Sequence, residues 1–218
     1  MGKIQIITKN QKIILDEIKN NSWFKENFYL SGGTALSAFY LQHRYSDDLD
    51  FFSKEEFDNE IICSLVEKWS KKHKFSFRSR FVEVVYRFSL DFKDKQNILV
   101  DFAYYPYKKL DKELDSEGLR VDSLFDIAVN KMLVVSQRTD IKDFIDLYFL
   151  LQKFSMGDLV AGVRNKFETE VEPLLLAADL LKIEDFEFLP RMVKPSGLEQ
   201  LKKFFRVKAR ELGSKSVD

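Results

Sequence analysis

The chain reads as an α+β protein: a mixed β-sheet with flanking helices, followed by a C-terminal helical region. Three observations predict it. A short apolar run at Phe28 to Leu30 meets the turn Gly32-Gly33, and one helix-length later a second apolar run, Leu49 to Phe52, carries acids at its start. Residues 75–104 alternate with period two. After about residue 118 the alternation stops and apolar residues recur at helical spacing. The matching division is residues 1–118 as an α/β core and residues 119–218 as a helical region that completes an active-site cleft.

Each element has its own signal. Residues 8–26 place Ile13, Ile14, Ile18 and Trp23 at helix spacing. Phe28 to Leu30 is a short strand. Thr34 stands where it can cap a helix carrying Ala35, Leu36, Phe39, Tyr40 and Leu41. Leu49 to Phe52 reads as a strand, and residues 55–72 as an amphipathic helix with Phe57, Ile61, Leu65 and Trp69 on one side. Runs around Phe75–Phe81, Val84–Leu90 and Ile98–Tyr104 read as consecutive antiparallel strands beside the first two, with a turn at Asp94 to Asn97. Val121-Asp122-Ser123 offers a helix start, and Thr139-Asp140 another whose buried face is Phe144, Leu147, Tyr148 and Leu151. Gly157, Pro173, Pro190 and Pro195 break the helical remainder, and the tail from Gly213 frays.

Composition narrows the function classes. A 45% hydrophobic and 32% charged chain supports a real core, and most of the 21 Phe fill it. The 35 basic and 35 acidic residues cancel, which excludes a positive coat for non-specific nucleic-acid binding but leaves room for a local basic groove. Such clusters run through Lys68, Lys71, Lys72, Lys74, Arg78 and Arg80, and through Lys202, Lys203, Arg206, Lys208 and Arg210; either is a solvated face or steers an RNA acceptor. Cys63 is the lone cysteine, lies in an apolar helical stretch as a small buried hydrophobe, and permits no intrachain disulfide, which fits a cytoplasmic protein. The N-terminus lacks a secretory apolar region, no run approaches membrane-spanning length, and behind Gly2 a myristoylation motif fails at Ile6.

The acids carry the chemistry. Asp48 and Asp50 sit two apart, so on a strand both carboxylates face one place while Leu49 and Phe51 face the core. Two like charges this close repel unless a cation lies between them, and Mg²⁺ takes such oxygen ligands together with substrate phosphates. Asp101 lies between Val100 and Phe102, an odd place for an unpaired charge; if its strand neighbours Leu49–Phe52, it becomes a third metal ligand or a general base. Two metals about 4 Å apart would hold attacking and leaving oxygens in line. The bland alternative is that Asp47, Asp48 and Asp50 form a solvated turn. Gly32, Gly33 and Thr34, between strand and helix, let a phosphate approach backbone N–H groups, although no GxxxxGK[ST] loop is present.

Further along, Lys131 lies among apolar neighbours in DIAVNKMLVV, with Arg138 and Lys142 at helical spacing to help neutralise a triphosphate. Asp143 and Asp146 share a helix face; on spacing alone, Lys142–Asp146 reads as a surface salt bridge of little worth. Arg44 contacts a phosphate or pairs with Asp47. His43, His73 and Cys63 lack zinc-ligand spacing, and no Ser-His-Asp or Cys-His arrangement is readable.

The segments GGTAL, HRYSDDLDFF and KDFIDLYFLL, spanning roughly Phe28 to Leu151, together resemble the AbiEii/AbiGii-type nucleotidyltransferase toxins, including the MenT-like enzymes. The resemblance implies a DNA polymerase β-like nucleotidyltransferase fold, Mg²⁺, a nucleoside triphosphate, a tRNA 3′ end as acceptor and a cognate antitoxin. It makes Gly32, Gly33 and Thr34 the nucleotide-binding turn and Asp48 and Asp50 the metal pair. It makes Lys131 the catalytic lysine, Asp143 the acid that helps organise that lysine or the nucleotide, and Asp101 the third carboxylate of the wider superfamily. Arg44 and Arg138 are read as nucleotide contacts from their own charge and position, not from the resemblance. The alternatives are transfer to a small-molecule or protein hydroxyl, and a non-catalytic nucleotide-binding module.

Overall fold

The computed structural model describes residues 6–214. The readings of Gly2 and of the tail beyond Ser214 lie outside the described residues. Two compact units are present. The first runs up to Tyr40 and adds Ser46–Tyr107 and Lys112–Ser123; the second comprises Leu41–Tyr45, Lys108–Asp111 and the chain from Leu124 onward.

In the first unit the expected long opening helix is two. Helix α1 (Lys9–Lys19) starts at a Thr8/Gln11 capping box. Asn20 and Asn21 interrupt it, and the Asn21 side chain caps α2 (Ser22–Asn27). Strand β1 (Tyr29–Ser31) runs into the short helical turn α3 (Gly32–Ala35), which widens into a π-helical turn at Leu36–Leu41. Thr34 is therefore inside the turn and does not cap it: Ser31 holds the cap position, and the Thr34 hydroxyl donates to the Asp48 carbonyl. Strand β2 (Leu49–Ser53) follows, then α4 (Asn59–His73). Helix α4 buries Trp69 as expected, but Ile62 and Val66 line its inner face in place of Ile61, which is exposed, and Leu65, which is half-buried. Cys63 on this helix is half-buried.

Strands β3 (Ser76–Val82), β4 (Val85–Asp91) and β5 (Asn97–Tyr104) form the expected antiparallel meander. Two short strands that alternation did not signal, β6 (Leu114–Ser116) and β7 (Leu119–Val121), form a hairpin around Gly118. The sheet order is β3-β4-β5-β2-β1-β7-β6. It is mixed: β5 pairs parallel to β2, and β7 parallel to β1. One face, with Leu49, Phe51, Phe88, Val100 and Phe102, is buried; Phe24 packs on both Phe102 and Trp69, with ring centroids 5.4 and 5.3 Å apart. Each such fully buried ring contributes roughly 1.5–3 kcal/mol. The acids point to the other face.

The second unit is helical: α5 (Leu124–Gln137), α6 (Ile141–Leu150), α7 (Met156–Phe167), α8 (Pro173–Leu181), a 3₁₀ turn at Lys182–Asp185, and α9 (Leu198–Ser214). Asp140 caps α6, Ser155 and Asp158 form a capping box on α7, and Pro173 takes the first position of α8. Gly157 lies inside the first turn of α7 and breaks nothing. The segment around Arg44 belongs to this unit, bridged antiparallel to Met192. No helix of the described residues is long and apolar enough to cross a membrane.

Candidate active site

The first unit gathers the acids through strand register. Asp50 of β2 lies directly opposite Asp101 of β5, and on its other side opposite Ser31 of β1. Asp48 stands two residues before Asp50, just ahead of β2, and both are half-buried. Asp101 is buried at 8% exposure. Placing three carboxylates on one face is costly without a counter-charge. Arg87 of β4 supplies part of it: it pairs in register with Asp101, donating from Nε to Oδ1 at 2.8 Å and from Nη2 to Oδ2 at 2.5 Å. The hydrogen bonds to Asp101 raise the Arg87 pKa, and the charges of Asp101, Asp48 and Asp50 add to that against the effect of burial. Arg87 is the functional candidate that the sequence reading did not single out. Its only signal was a lone charge in the run VVYRFSL.

The Gly32 turn is shaped around this group. Gly32 has φ +70°, and a Cβ there would lie 2.1 Å from Asp50 Oδ2. Glycine is needed both for its left-handed backbone and for the space. The hydroxyl of Thr34 ties the same turn to the Asp48 carbonyl. Turn and acid pair are thus one rigid piece.

These residues fit a small hard cation. Their donors are carboxylate oxygens facing one side, and the turn is contoured to a carboxylate. Among the described residues no group of three or more His, Cys, Asp or Glu side chains is arranged to hold a metal ion. Mg²⁺ characteristically does without such a cage, using one or two carboxylates plus substrate phosphates.

The second unit holds a buried ion network. Lys131 of α5 donates to Asp143 Oδ1 at 2.6 Å and lies 2.7 Å from Asp146 Oδ2. Arg44 grips Asp146 with Nε at 2.7 Å and Nη2 at 2.8 Å, and His43 Nε2 lies 2.7 Å from Asp146 Oδ1. Arg138 donates to both oxygens of Asp143, at 2.7 and 3.2 Å. The expected surface pair Lys142–Asp146 is not what forms: Asp143 and Asp146 are both 0% exposed. Arg44 does not pair with Asp47; it is 2% exposed and spent on Asp146.

Burial and charge compete at each member. Burial lowers the Lys131 pKa, but Asp146 and Asp143 outweigh it and leave it raised. Burial raises Asp146, but the charges of Lys131 and Arg44 hold it well below the usual carboxylate range. For Asp143, Lys131 and Arg138 likewise overcome burial and lower the pKa. Burial lowers the His43 pKa, and Asp146 only partly opposes this. His43 is thus neutral, with Nε2–H donating to Asp146, and its buried Nδ1 has no hydrogen-bond partner among the described residues. The network is a locked carboxylate–lysine unit with the ammonium charged.

A family model described as "Nucleotidyl transferase AbiEii toxin, Type IV TA system" matches residues 13–210. An uncharacterized protein of Aquifex aeolicus, aq_aa25, is 31% identical over 192 residues, covering 85% of this chain and 87% of its own. Among solved structures, JHP933 from Helicobacter pylori superposes with a TM-score of 0.57 at 20% identity, covering 96% of this chain and 94% of that one. MenT4, a nucleotidyltransferase toxin of Mycobacterium tuberculosis H37Rv, does so with a TM-score of 0.53 at 14% identity, covering 92% and 82%. The mixed sheet with flanking helices is the fold these structures share.

Proposed function

Since the chain belongs to the AbiEii nucleotidyl transferase toxin family, we propose that it moves a nucleoside monophosphate from an Mg²⁺-bound nucleoside triphosphate to an RNA hydroxyl, the 3′ end of a tRNA. In this reading it is a cytoplasmic toxin restrained by a cognate antitoxin. The single observation that carries the chemistry is the cross-strand acid face: Asp50 opposite Asp101, Asp48 beside them, and Gly32 moulded to the Asp50 carboxylate.

Each residue then has a task. Asp48 and Asp50 would hold the cation together with triphosphate oxygens. The chemistry a cation would supply there is a lowered pKa for the attacking hydroxyl and neutralisation of the leaving pyrophosphate. The α3 turn is too short to act as a helix dipole; Gly32 and Gly33 serve by letting phosphate oxygens approach backbone N–H groups. Both oxygens of Asp101 accept from Arg87, so Asp101 would serve as a third ligand only by giving up one of those bonds. Lys131, kept protonated by Asp143 and Asp146, would be the catalytic lysine of this reading. Arg138, on the outer side of Asp143, is the more exposed cation for a nucleotide phosphate. Arg44 acts through Asp146 and not on the nucleotide.

The test is direct. Protein is incubated with Mg²⁺, each labelled nucleoside triphosphate in turn, and total tRNA. Label should move to the RNA 3′ end and disappear when EDTA is added. Label that moves only to a protein or small molecule in lysate would retain the transferase and reject the RNA acceptor.

A further inference from the structure

The sheet face that carries the acids continues past Asp101 in the opposite charge. Arg87 lies opposite Asp101, and Arg80 of β3 opposite Arg87. In the neighbouring row, Ser89 lies opposite Leu99, and Arg78 opposite Ser89. Side chains directly opposite each other share a face, so Asp50, Asp101, Arg87 and Arg80 form one row across four strands. Arg78, Ser79, Arg80, Arg87, Ser89 and Leu99 line an open cavity of about 290 Å³.

Two features set this patch apart from ordinary surface charge. The chain as a whole is neutral, with 35 basic and 35 acidic residues, yet this cavity is lined by three arginines and no acid, Arg87 being the one held by Asp101. The basic stretch read from sequence also divides in space. Lys71 and Lys72 sit on α4, over the buried face, and pair with Glu67 and Glu17. Arg78 and Arg80 point instead to the acid face. The ion pair that Arg78 makes, with Asp91 at 3.5 Å, is loose, and its side chain is 80% exposed.

The row also has direction. The glycine turn follows β1, on one side of the Asp48/Asp50 pair; the arginines lie on the other, beyond β5. With strands about 4.8 Å apart, Arg80 is roughly 14 Å from Asp50. Phosphoryl transfer runs in line, so the triphosphate and the attacking strand meet the reacting phosphorus from opposite sides. The turn suits the triphosphate, which leaves the arginine side for the strand that ends in the attacking hydroxyl. An acidic peptide would have no reason to begin beside two carboxylates, whereas a nucleic-acid end presents a neutral hydroxyl there and phosphates further back.

We propose that Arg78, Arg80 and Ser89 bind the backbone phosphates of a single-stranded RNA acceptor end and deliver its terminal hydroxyl to Asp48 and Asp50. The direction of the strand rests on the nucleotidyl-transfer reading; the anionic surface itself does not.

The probe is a short fluorescent single-stranded oligoribonucleotide, titrated by anisotropy at several salt concentrations. Wild type binds with an affinity that falls with salt. R78Q/R80Q, on an exposed edge strand, binds more weakly, and the magnitude of its log–log salt slope drops by about 1.4, two phosphate contacts at 0.7 each. R78K/R80K restores the slope. Calorimetry with Mg²⁺ and a non-hydrolysable nucleoside triphosphate gives the same affinity in wild type and R78Q/R80Q. An unchanged RNA slope in R78Q/R80Q overturns the surface even if transfer activity is normal. Loss of triphosphate affinity in R78Q/R80Q also overturns it, because the patch then serves the nucleotide. Arginine-dependent RNA binding by a protein that transfers no nucleotide leaves the surface standing and removes the enzymatic reading instead.

Discussion

The Asp50 carboxylate occupies the space where a side chain on Gly32 would begin, 2.1 Å from the position of a Cβ. The acid of one strand and the turn that follows another are therefore a single shape, and neither can change alone. Gly32→Ala should lose nucleotidyl transfer, because Asp50 must swing away from the proposed cation position. The left-handed backbone adds a stability loss of about 1–2 kcal/mol. Labelled-nucleotide transfer and urea denaturation on the same preparation check both halves; an active Gly32→Ala protein would refute the close fit.

Asp48→Ala should abolish transfer and Mg²⁺-dependent nucleotide binding while leaving the fold intact, since Asp48 precedes β2 and is only half-buried. Calorimetry and near-ultraviolet circular dichroism read the two effects separately. Retained Mg²⁺-dependent binding would count against this acid as a ligand.

Arg87 and Asp101 should couple. The pair is bidentate and only partly exposed, with side chains 32% and 12% accessible. A double-mutant cycle of Arg87→Ala and Asp101→Ala should give a coupling energy of about 1–3 kcal/mol. Arg87→Lys should recover only part of it, because an ammonium cannot reproduce the fork. Additive single effects would show that the pair is incidental.

Asp146→Ala should be among the most damaging substitutions in the second unit. It leaves Arg44 and Lys131 buried without their shared carboxylate, at a cost of about 3–5 kcal/mol. Urea midpoints measure it. A loss under about 1 kcal/mol would mean that the network is looser than its geometry.

The same network sets a pH dependence. The His43 pKa is lowered from 6.5 by burial, so below that value the unfolded chain takes up a proton that the folded chain refuses. Stability should therefore fall as pH drops from about 7 to about 5, by at most about 1.4 kcal/mol per unit. Asp146 has the depressed-carboxylate sign: its contribution is complete above its ordinary value of 3.8 and is lost only as pH falls below that. His43→Gln keeps an N–H for Asp146 but cannot titrate, and should flatten the slope between about pH 5 and 7. An equal slope in His43→Gln would assign the effect elsewhere.

Much of the site is legible in the chain because its signals are local. Period two puts Asp48 and Asp50 on one side, and the glycine turn between an apolar run and a helical segment marks a close approach. Other features are not legible because local pattern allows two answers. Helix α4 carries adjacent apolar pairs, Ile61-Ile62 and Leu65-Val66, and only packing selects Ile62 and Val66. The three-residue strands β6 and β7 are too short to alternate. Asp143 and Asp146 have the spacing of a surface pair, and become buried only because Lys131 and Arg44 arrive to neutralise them.

The amino-acid order alone determined which groups are acids, which face of a strand they share, and where the backbone must turn without a side chain. Tertiary structure alone decided what balances them: Arg87 opposite Asp101 by strand register, and Arg44 on Asp146 across 102 residues of chain. The reason is physical. Alternation and turn chemistry act over neighbouring residues, whereas a buried charge is stable only if a partner distant in sequence is brought within hydrogen-bond reach.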